Sequence, residues 1–400
     1  MRRGLRVLAV ALSLALSPAM SASTTASERR PGPGGAGLTR VDLAALPGFG
    51  NDDHLGAFRV FLTSCRAIAG AQAALRPGLP PPDALVAVCR AALDAGVSTR
   101  ADARAFFLSR FEAWEIAPPA GAGFLTGYYE PEVAAALTRS DAFPTPVLAR
   151  PDDLVTFPQG QTPAPLDPEL SAARRRADGA LEPYPTRGEI EAGGLGEKAR
   201  PIAFLADPVE AFMIHVQGSA RLRLPDGSSA RLTYDGRNGR PYVSVGRVLA
   251  SEQGVEPEEL VLEKLKARIR AMGLAPGEPG LALLHRNPSF IFFRLDASAP
   301  ADAGPIGAQG VRLSPLRSIA VDRTLWPYGL PFWIEADLPW RAATPEPFAR
   351  LAIAQDTGSA ILGPARADLF FGAGDEAGRR AGDIRHAGRF VVLWPKGDAP

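Results

Sequence analysis

The chain has 400 residues, 46% hydrophobic and 22% charged, which is too long for one compact core and predicts two domains. Its formal net charge is +1, and −2 once the three arginines of residues 1–26 are set aside. That balance excludes an electrostatic drive toward nucleic acid or an anionic membrane surface.

Residues 1–26 read as an export signal. Arg2, Arg3 and Arg6 precede an apolar run at residues 7–16 that is too short to span a bilayer, and small residues follow to Ala26. A buried N-terminal helix is the alternative. The arginine pair also admits twin-arginine export. No cysteine closes the apolar run, so no lipid anchor is expected, and no later segment is apolar for long enough to cross a membrane. The expected product is soluble and periplasmic.

Residues 27–40 form a lead-in rich in Ser, Arg, Pro and Gly. Three helical patterns come next. Residues 54–74 carry Leu55, Phe58, Phe61, Leu62, Cys65 and Ile68 at helical spacing. Asp83 caps a second helix bearing Leu85, Val88, Cys89 and Leu93 and stopping at Gly96. Thr99 and Asp102 open a third, with Phe106, Phe107 and Phe111 as its apolar residues. Cys65 and Cys89 are candidates for one disulfide in an oxidising compartment, with two separate buried thiols as the alternative.

From Phe124 the period changes. With 41 glycines and 39 prolines, the remainder predicts short strands joined by turns. Residues 124–131 read as a strand ending at Pro131, and residues 150–200 as polar loops. Residues 212–224 read as an alternating strand around a Gly-Ser bend, which makes His215 a structural residue. Pro225-Asp226-Gly227 turns into a return strand at residues 230–234. One helix, at residues 257–272, interrupts the β pattern. Short strands follow at residues 317–321, 332–338, 351–356 and 390–394, and their even spacing predicts a small closed barrel.

There is no Gly-x-Ser-x-Gly elbow, no His-Glu-x-x-His and no phosphate-binding glycine loop, and the chain has only four histidines. No cofactor and no metal are expected. The notable block is C-terminal: Ala320-Val321-Asp322-Arg323, Gln355-Asp356-Thr357-Gly358 and Arg366-Ala367-Asp368-Leu369-Phe370-Phe371-Gly372. Each acid follows or sits within an apolar segment, where charge is costly unless paired or functional. Capping a turn through its own backbone is the competing role for each.

This block resembles the three-aspartate (3D) domain of the membrane-bound lytic murein transglycosylase A family. Upstream, Leu46-Pro47-Gly48 with Asp52-Asp53-His54, Gly127-Tyr128-Tyr129-Glu130-Pro131 and Thr186-Arg187-Gly188-Glu189-Ile190-Glu191 resemble the same family. So do Val216-Gln217-Gly218-Ser219, Tyr234-Asp235-Gly236-Arg237-Asn238-Gly239, Asn287-Pro288-Ser289-Phe290 and Gly374-Asp375-Glu376-Ala377-Gly378. The resemblance runs in order from about residue 40 to 396.

It implies a mainly β fold with an α-helical N-terminal segment and two β-barrel domains separated by a groove. One is a double-ψ β-barrel, discontinuous over residues 27–131 and 281–400, with the 3D domain at about 304–396. The other is inserted at residues 132–280. The implied activity cleaves the β-1,4 bond between N-acetylmuramic acid and N-acetylglucosamine and leaves a 1,6-anhydro ring. Asp368 falls on the family's catalytic acid, with Asp356 and Asp322 as supporting acids. A low-dielectric groove beside Leu369, Phe370 and Phe371 is expected to raise the Asp368 pKa.

For sugar binding, Tyr128, Tyr129, Tyr234, Tyr242 and Trp326 offer flat faces. Thr126, Gln217, Ser219, Asn238 and Gln355 offer hydrogen bonds. The expected partner is the glycan strand of peptidoglycan, engaged by a monomer, with cell-wall synthesis or division complexes as further candidates. Two other functions stay open: a hydrolytic glycosidase using two carboxylates, and a non-catalytic wall-binding protein.

Overall fold

The computed structural model describes residues 28–158, 160–254, 262–296, 304–398 and 400. The expected export signal at residues 1–26 lies outside the described residues.

The N-terminal segment carries strands β1 (Arg29–Pro31) and β2 (Gly37–Val41), then helices α1 (His54–Ala69), α2 (Asp83–Asp94) and α3 (Arg100–Arg110). Side-chain caps set two of the helix starts. Asp53 accepts from the Gly56 amide, and Thr99 and Asp102 close a reciprocal capping box. α1 ends at Ala69, short of residue 74, where Gly70 caps it. Phe111 is not helical: it opens β3 (Phe111–Ala117), yet its ring still packs 5.7 Å from Phe61 in the helical core. A disulfide joins Cys65 on α1 to Cys89 on α2, with the Cα atoms 4.6 Å apart.

After β4 (Gly123–Glu130) the chain builds a second unit. Its strands are β5 (Glu132–Ala136), β6 (Thr145–Leu148), β7 (Leu154–Thr156), β8 (Ala172–Arg175) and β9 (Leu181–Pro183). Helix α4 (Arg187–Glu191), β10 (Pro201–Leu205), α5 (Pro208–Gln217), β11 (Ser219–Arg223) and β12 (Ser229–Arg237) come next. Helices α6 (Val245–Gln253), α7 (Leu262–Ala271) and α8 (Pro279–His285) lead into β13 (Ile291–Asp296). The chain then returns to the first unit through β14 (Ser318–Val321), β15 (Pro331–Leu338), β16 (Glu346–Asp356), β17 (Arg366–Ala373), α9 (Gly374–Gly382) and β18 (Arg385–Pro395).

Both units close on themselves. In the first, β4, β17, β14, β16, β15 and β18 pair in that order, and β18 pairs back to β4. Two of these pairings, β14 with β16 and β17 with β4, are parallel, in the arrangement of a double-ψ barrel. In the second, the six strands β13-β12-β11-β5-β10-β6 form one sheet, and a bridge from Ala149 to Phe293 joins its ends. Closure removes the edges of both barrels, while β3, β2 and β1 extend the first sheet outward from β18 to an open edge at β1.

Several expectations need correction. The insert does not end at residue 280, because β13 pairs along β12 and completes the second barrel. Residues 150–200 are not only loops: β7, β8 and β9 form a three-stranded sheet, and Thr186 and Glu189 close a capping box on α4. Residues 212–217 are helical. Asp207 caps α5, Pro208 fits its first turn, and Gly218 ends it in the left-handed conformation at φ 78°. His215 is therefore a helix residue. It is buried, bonded through Nδ1 to the Arg187 guanidinium at 2.9 Å and packed 4.4 Å from the Phe290 ring. Of the helix expected at residues 257–272, the described part is α7.

Candidate active site

The carboxyl group of Asp368 is placed by three strands. β17 lies between β14 and β4, which sets Asp368 opposite Ala320 on one side and Thr126 on the other. Alternation along β4 then sorts its side chains. Thr126 and Tyr128 turn toward the acids, whereas Tyr129 turns to the other face and packs on Gly378 of α9. Gly127 must be glycine, because a Cβ there would lie 2.8 Å from the Ala381 backbone of α9. Glu130, at the strand end, is fully buried and forms an ion pair with Arg231 of β12 at 2.7 Å. One short motif thus joins the acid site, α9 and the second barrel.

The three aspartates have different surroundings. Asp368 is half-buried, and its Oδ1 accepts one hydrogen bond, from Thr126 Oγ1 at 2.6 Å. Arg366 donates Nη2 to that same threonine oxygen at 2.8 Å. Burial pushes the Asp368 pKa from 3.8 up to about 6; the Thr126 bond and the Arg366 charge oppose this, and the Asp356 charge reinforces it.

Asp356 is also raised by burial, but three donors favour its charged form: the Ala308 and Thr357 amides, both at 2.8 Å, and Tyr128 Oη at 2.9 Å. Asp322 is fully committed to loop structure. It accepts from Thr324 N and Oγ1 at 3.0 and 2.6 Å and from Gly363 N at 2.8 Å. It behaves as the turn cap considered from sequence.

These contacts give a first prediction. Thr126→Val keeps the side-chain shape but removes the donor that favours the Asp368 carboxylate. The Asp368 pKa should then rise further, and the alkaline limb of the activity profile should move to higher pH. A pH–rate profile checks it; an unchanged or lowered limb would contradict the geometry.

The structure does not bring all the expected sugar-binding residues to this group. Asn238 is completely buried, giving Nδ2 to the Pro185 and Pro288 carbonyls at 2.8 Å and accepting from Phe290 N at 2.9 Å. Gln355 is equally buried, held by Ser318 Oγ at 2.6 Å and Ser64 Oγ at 2.8 Å. Trp326 lies in the core with Nε1 on the Pro364 carbonyl, and Ser219 is buried on β11 opposite Thr233. Asn238 and Gln355 are consumed by the interior, and Trp326 and Ser219 are buried.

Thr126 and Tyr128 do adjoin the acids, and Gln217 Oε1 accepts from the Tyr129 amide at 3.4 Å across the junction of the barrels. Tyr129 is half-buried, and burial pushes its phenol up to about 12. Tyr242 is half-buried within electrostatic reach of Arg187. Tyr234 is half-buried on the insert side, where a cavity of about 320 Å³ separates it from the loop at residues 74–77.

Sequence reading missed four residues here. Arg366 stands two residues before Asp368, so strand alternation could have put both on one face. Its guanidinium lies 5.3 Å from the ring of Phe124, which is exposed at the strand edge, and Leu362 is exposed on the loop before β17. Arg76, in a Pro-rich loop with no motif, donates Nη1 to the Thr357 carbonyl at 3.0 Å. No local signal marks it.

Two closed barrels and a carboxyl group with a pKa of about 6 define a two-barrel protein whose site suits acid/base chemistry. The MltA specific insert domain family matches residues 124–294, and the 3D domain family matches residues 317–394. The crystal structure of a membrane-bound lytic murein transglycosylase from Agrobacterium tumefaciens is 34% identical, with a TM-score of 0.79, over 90% of this chain and 98% of that one. The Escherichia coli MltA structure with bound chitohexaose has a TM-score of 0.61 at 26% identity, covering 96% of this chain and all of the other.

Two curated relatives carry the name membrane-bound lytic murein transglycosylase A. The one from Vibrio cholerae serotype O1 is 35% identical over 53% of this chain and 56% of its own length. The one from Escherichia coli K12 is 32% identical over 70% of this chain and 69% of its own. The match thus spans little more than half of the Vibrio protein. The chain belongs to the membrane-bound lytic murein transglycosylase A family.

Proposed function

We propose that this chain cuts the β-1,4 bond between N-acetylmuramic acid and N-acetylglucosamine in peptidoglycan, with Asp368 as its single general acid/base. The observation that carries the reading is the state of Asp368: half-buried, with one hydrogen-bond donor and a pKa of about 6. Such a group still holds a proton in about a tenth of molecules at pH 7, and in about half at pH 6, and releases it readily.

Protonated Asp368 donates to the glycosidic oxygen as the bond from the muramyl anomeric carbon to that oxygen breaks. The muramyl 6-hydroxyl oxygen bonds to the same carbon, and its proton goes to the Asp368 carboxylate. The carboxyl group is restored, no water is consumed, and the product carries a 1,6-anhydro ring. A glycosidase that uses water or a covalent intermediate needs a second carboxyl group. An internal nucleophile removes that need. Asp356 suits the second role poorly, because both its oxygens are occupied by donors from Ala308, Thr357 and Tyr128.

In this reading Tyr128 and Asp356 orient the floor of the site, Arg366 and Thr126 hold the acid, and Phe124, Leu362 and Tyr234 offer apolar faces to sugar rings. The two units divide as residues 28–130 with 304–398, and 131–296. The relatives are named membrane-bound, which fits an envelope location, and residues 1–26 would export the chain to the periplasm. Among the described residues no helix is long and apolar enough to cross a membrane. Digestion of purified sacculi, with the products weighed, tests the activity. Products one water lighter than reducing muropeptides are expected; reducing ends alone would overturn the reading.

A further inference from the structure

Three arginines from distant parts of the chain meet where the barrels join, beside the loop that runs from Asp356 to β17. Arg76 sets its guanidinium 5.5 Å from the Tyr234 ring centroid and holds the Thr357 carbonyl. Arg237 gives Nη1 to Ser359 Oγ at 2.8 Å and Nη2 to the Arg240 carbonyl at 2.6 Å, which leaves its buried Nε without a partner. Arg323 lies under the same loop as Arg76, since the Leu79 amide donates to its carbonyl at 3.0 Å.

Among the described residues, none of the three forms a salt bridge with a carboxylate. The cations act on one another instead. Burial, then Arg76, push the Arg237 pKa down to about 10; Tyr234 opposes this and Arg323 adds a lesser push downward. Arg323 is lowered by burial and by Arg76. Arg237 stays charged at neutral pH.

Arg76 also acts on the Asp356 charge, but among the described residues Arg237 and Arg323 form no ion pair, and half-buried like charges that are not paired cost free energy. Their planar forks match a carboxylate. The adjoining cavity of about 320 Å³ is lined by Tyr234, Arg150, Thr156, Phe157 and Leu75, together with one acid, Asp235. The sugar rings of a murein strand are neutral. Its negative charge sits on carboxylates, either those of the peptide stems or, where a stem is absent, that of the lactyl group.

We infer that Arg76, Arg237 and Arg323 form a subsite for a carboxylate of the murein strand, holding the strand in the groove that leads to Asp368. This rests on the glycan-cleaving reading above. It makes the chain selective for murein over an uncharged glycan of the same length.

Binding is measured in the full chain carrying Asp368→Asn, so that strands are not consumed. The probes are stem-bearing glycan strands, the same strands stripped of stems by an amidase, and chitohexaose. Arg237→Gln and Arg323→Gln should each weaken binding of stem-bearing strands about tenfold and leave chitohexaose within about twofold. A loss confined to stem-bearing strands assigns the carboxylate to the stem; a loss shared by stripped strands assigns it to the lactyl group. Equal loss on all three probes, or loss on none, overturns the subsite.

Salt gives a second readout without these two variants. In the same Asp368→Asn chain, the preference for stem-bearing strands over chitohexaose should shrink between about 0.05 and 0.5 M NaCl. A preference that ignores salt, or no preference at all, overturns the subsite equally. Release of anhydro products by the unmodified chain tests the cleavage itself, so the two failures are distinguishable.

Discussion

Replacing Asp368 by asparagine should give a folded chain that releases anhydro products at least roughly a hundredfold more slowly, the lower range for loss of a general acid. Asparagine keeps the shape and can still accept from Thr126, so β17, β4 and β14 keep their register. The pH dependence supplies an independent arm. With a folded pKa of about 6, the protonated fraction of Asp368 falls as pH rises through that value, and so should the rate of the acid-dependent step.

Stability moves in the same window. The folded carboxyl holds its proton up to about 6, whereas the unfolded one releases it near the ordinary value of 3.8. Between those values the folded state binds more protons, so its stability declines as pH rises. The asparagine variant escapes that decline and should melt no lower than the parent at neutral pH. Near-normal turnover in this variant would remove Asp368 from the mechanism.

The second large effect concerns the joint between the N-terminal segment and the first barrel. Arg317 precedes β14 and grips Asp52 with both arms of its guanidinium, each at 2.7 Å, with both residues buried. Asp52 Oδ2 also accepts from the Leu351 amide at 3.0 Å, and Arg317 donates to the carbonyls of Leu351 and Asp53. Asp52→Ala leaves a buried guanidinium unpaired and one strand amide without its acceptor. The expected loss is about 3–5 kcal/mol, read as a lower urea midpoint.

Adding Arg317→Met should recover part of that loss, because it removes the stranded charge. A loss below about 1 kcal/mol for the single variant would put the pair among weak surface bridges and contradict its burial. The Asp52-Asp53-His54 motif is therefore a clamp. Asp53 caps α1, while Asp52 ties the start of that helix to the barrel through Arg317.

The sequence carried much of the local structure. Capping at Thr99, the turn at Pro225-Asp226-Gly227 and the strands around Asp322, Asp356 and Asp368 rest on short-range chemistry that a reader of residues can weigh, whereas the expected cap at Asp83 is a first-turn acid behind Pro82. It failed at α5 for a definable reason. Ala211 and Ile214 face the barrel core while Phe212 and Met213 face the α6–α8 cluster, so apolar residues occur on both sides and neither period stands out. The Asp207-Pro208 start and the Gly218 stop were the better signals.

The family could be named from ordered motifs, but the roles of individual polar residues could not. Asn238 and Gln355 have the right chemistry for a sugar and the wrong location, since their amides are consumed inside the protein. The three aspartates look alike as letters. Only tertiary structure supplies Gly363 to Asp322, Tyr128 and the Ala308 amide to Asp356, and a single threonine to Asp368. A carboxyl group's proton affinity depends on its burial and its donors. For Asp368 the decisive donor comes from a strand 242 positions away, a distance no local pattern can cross.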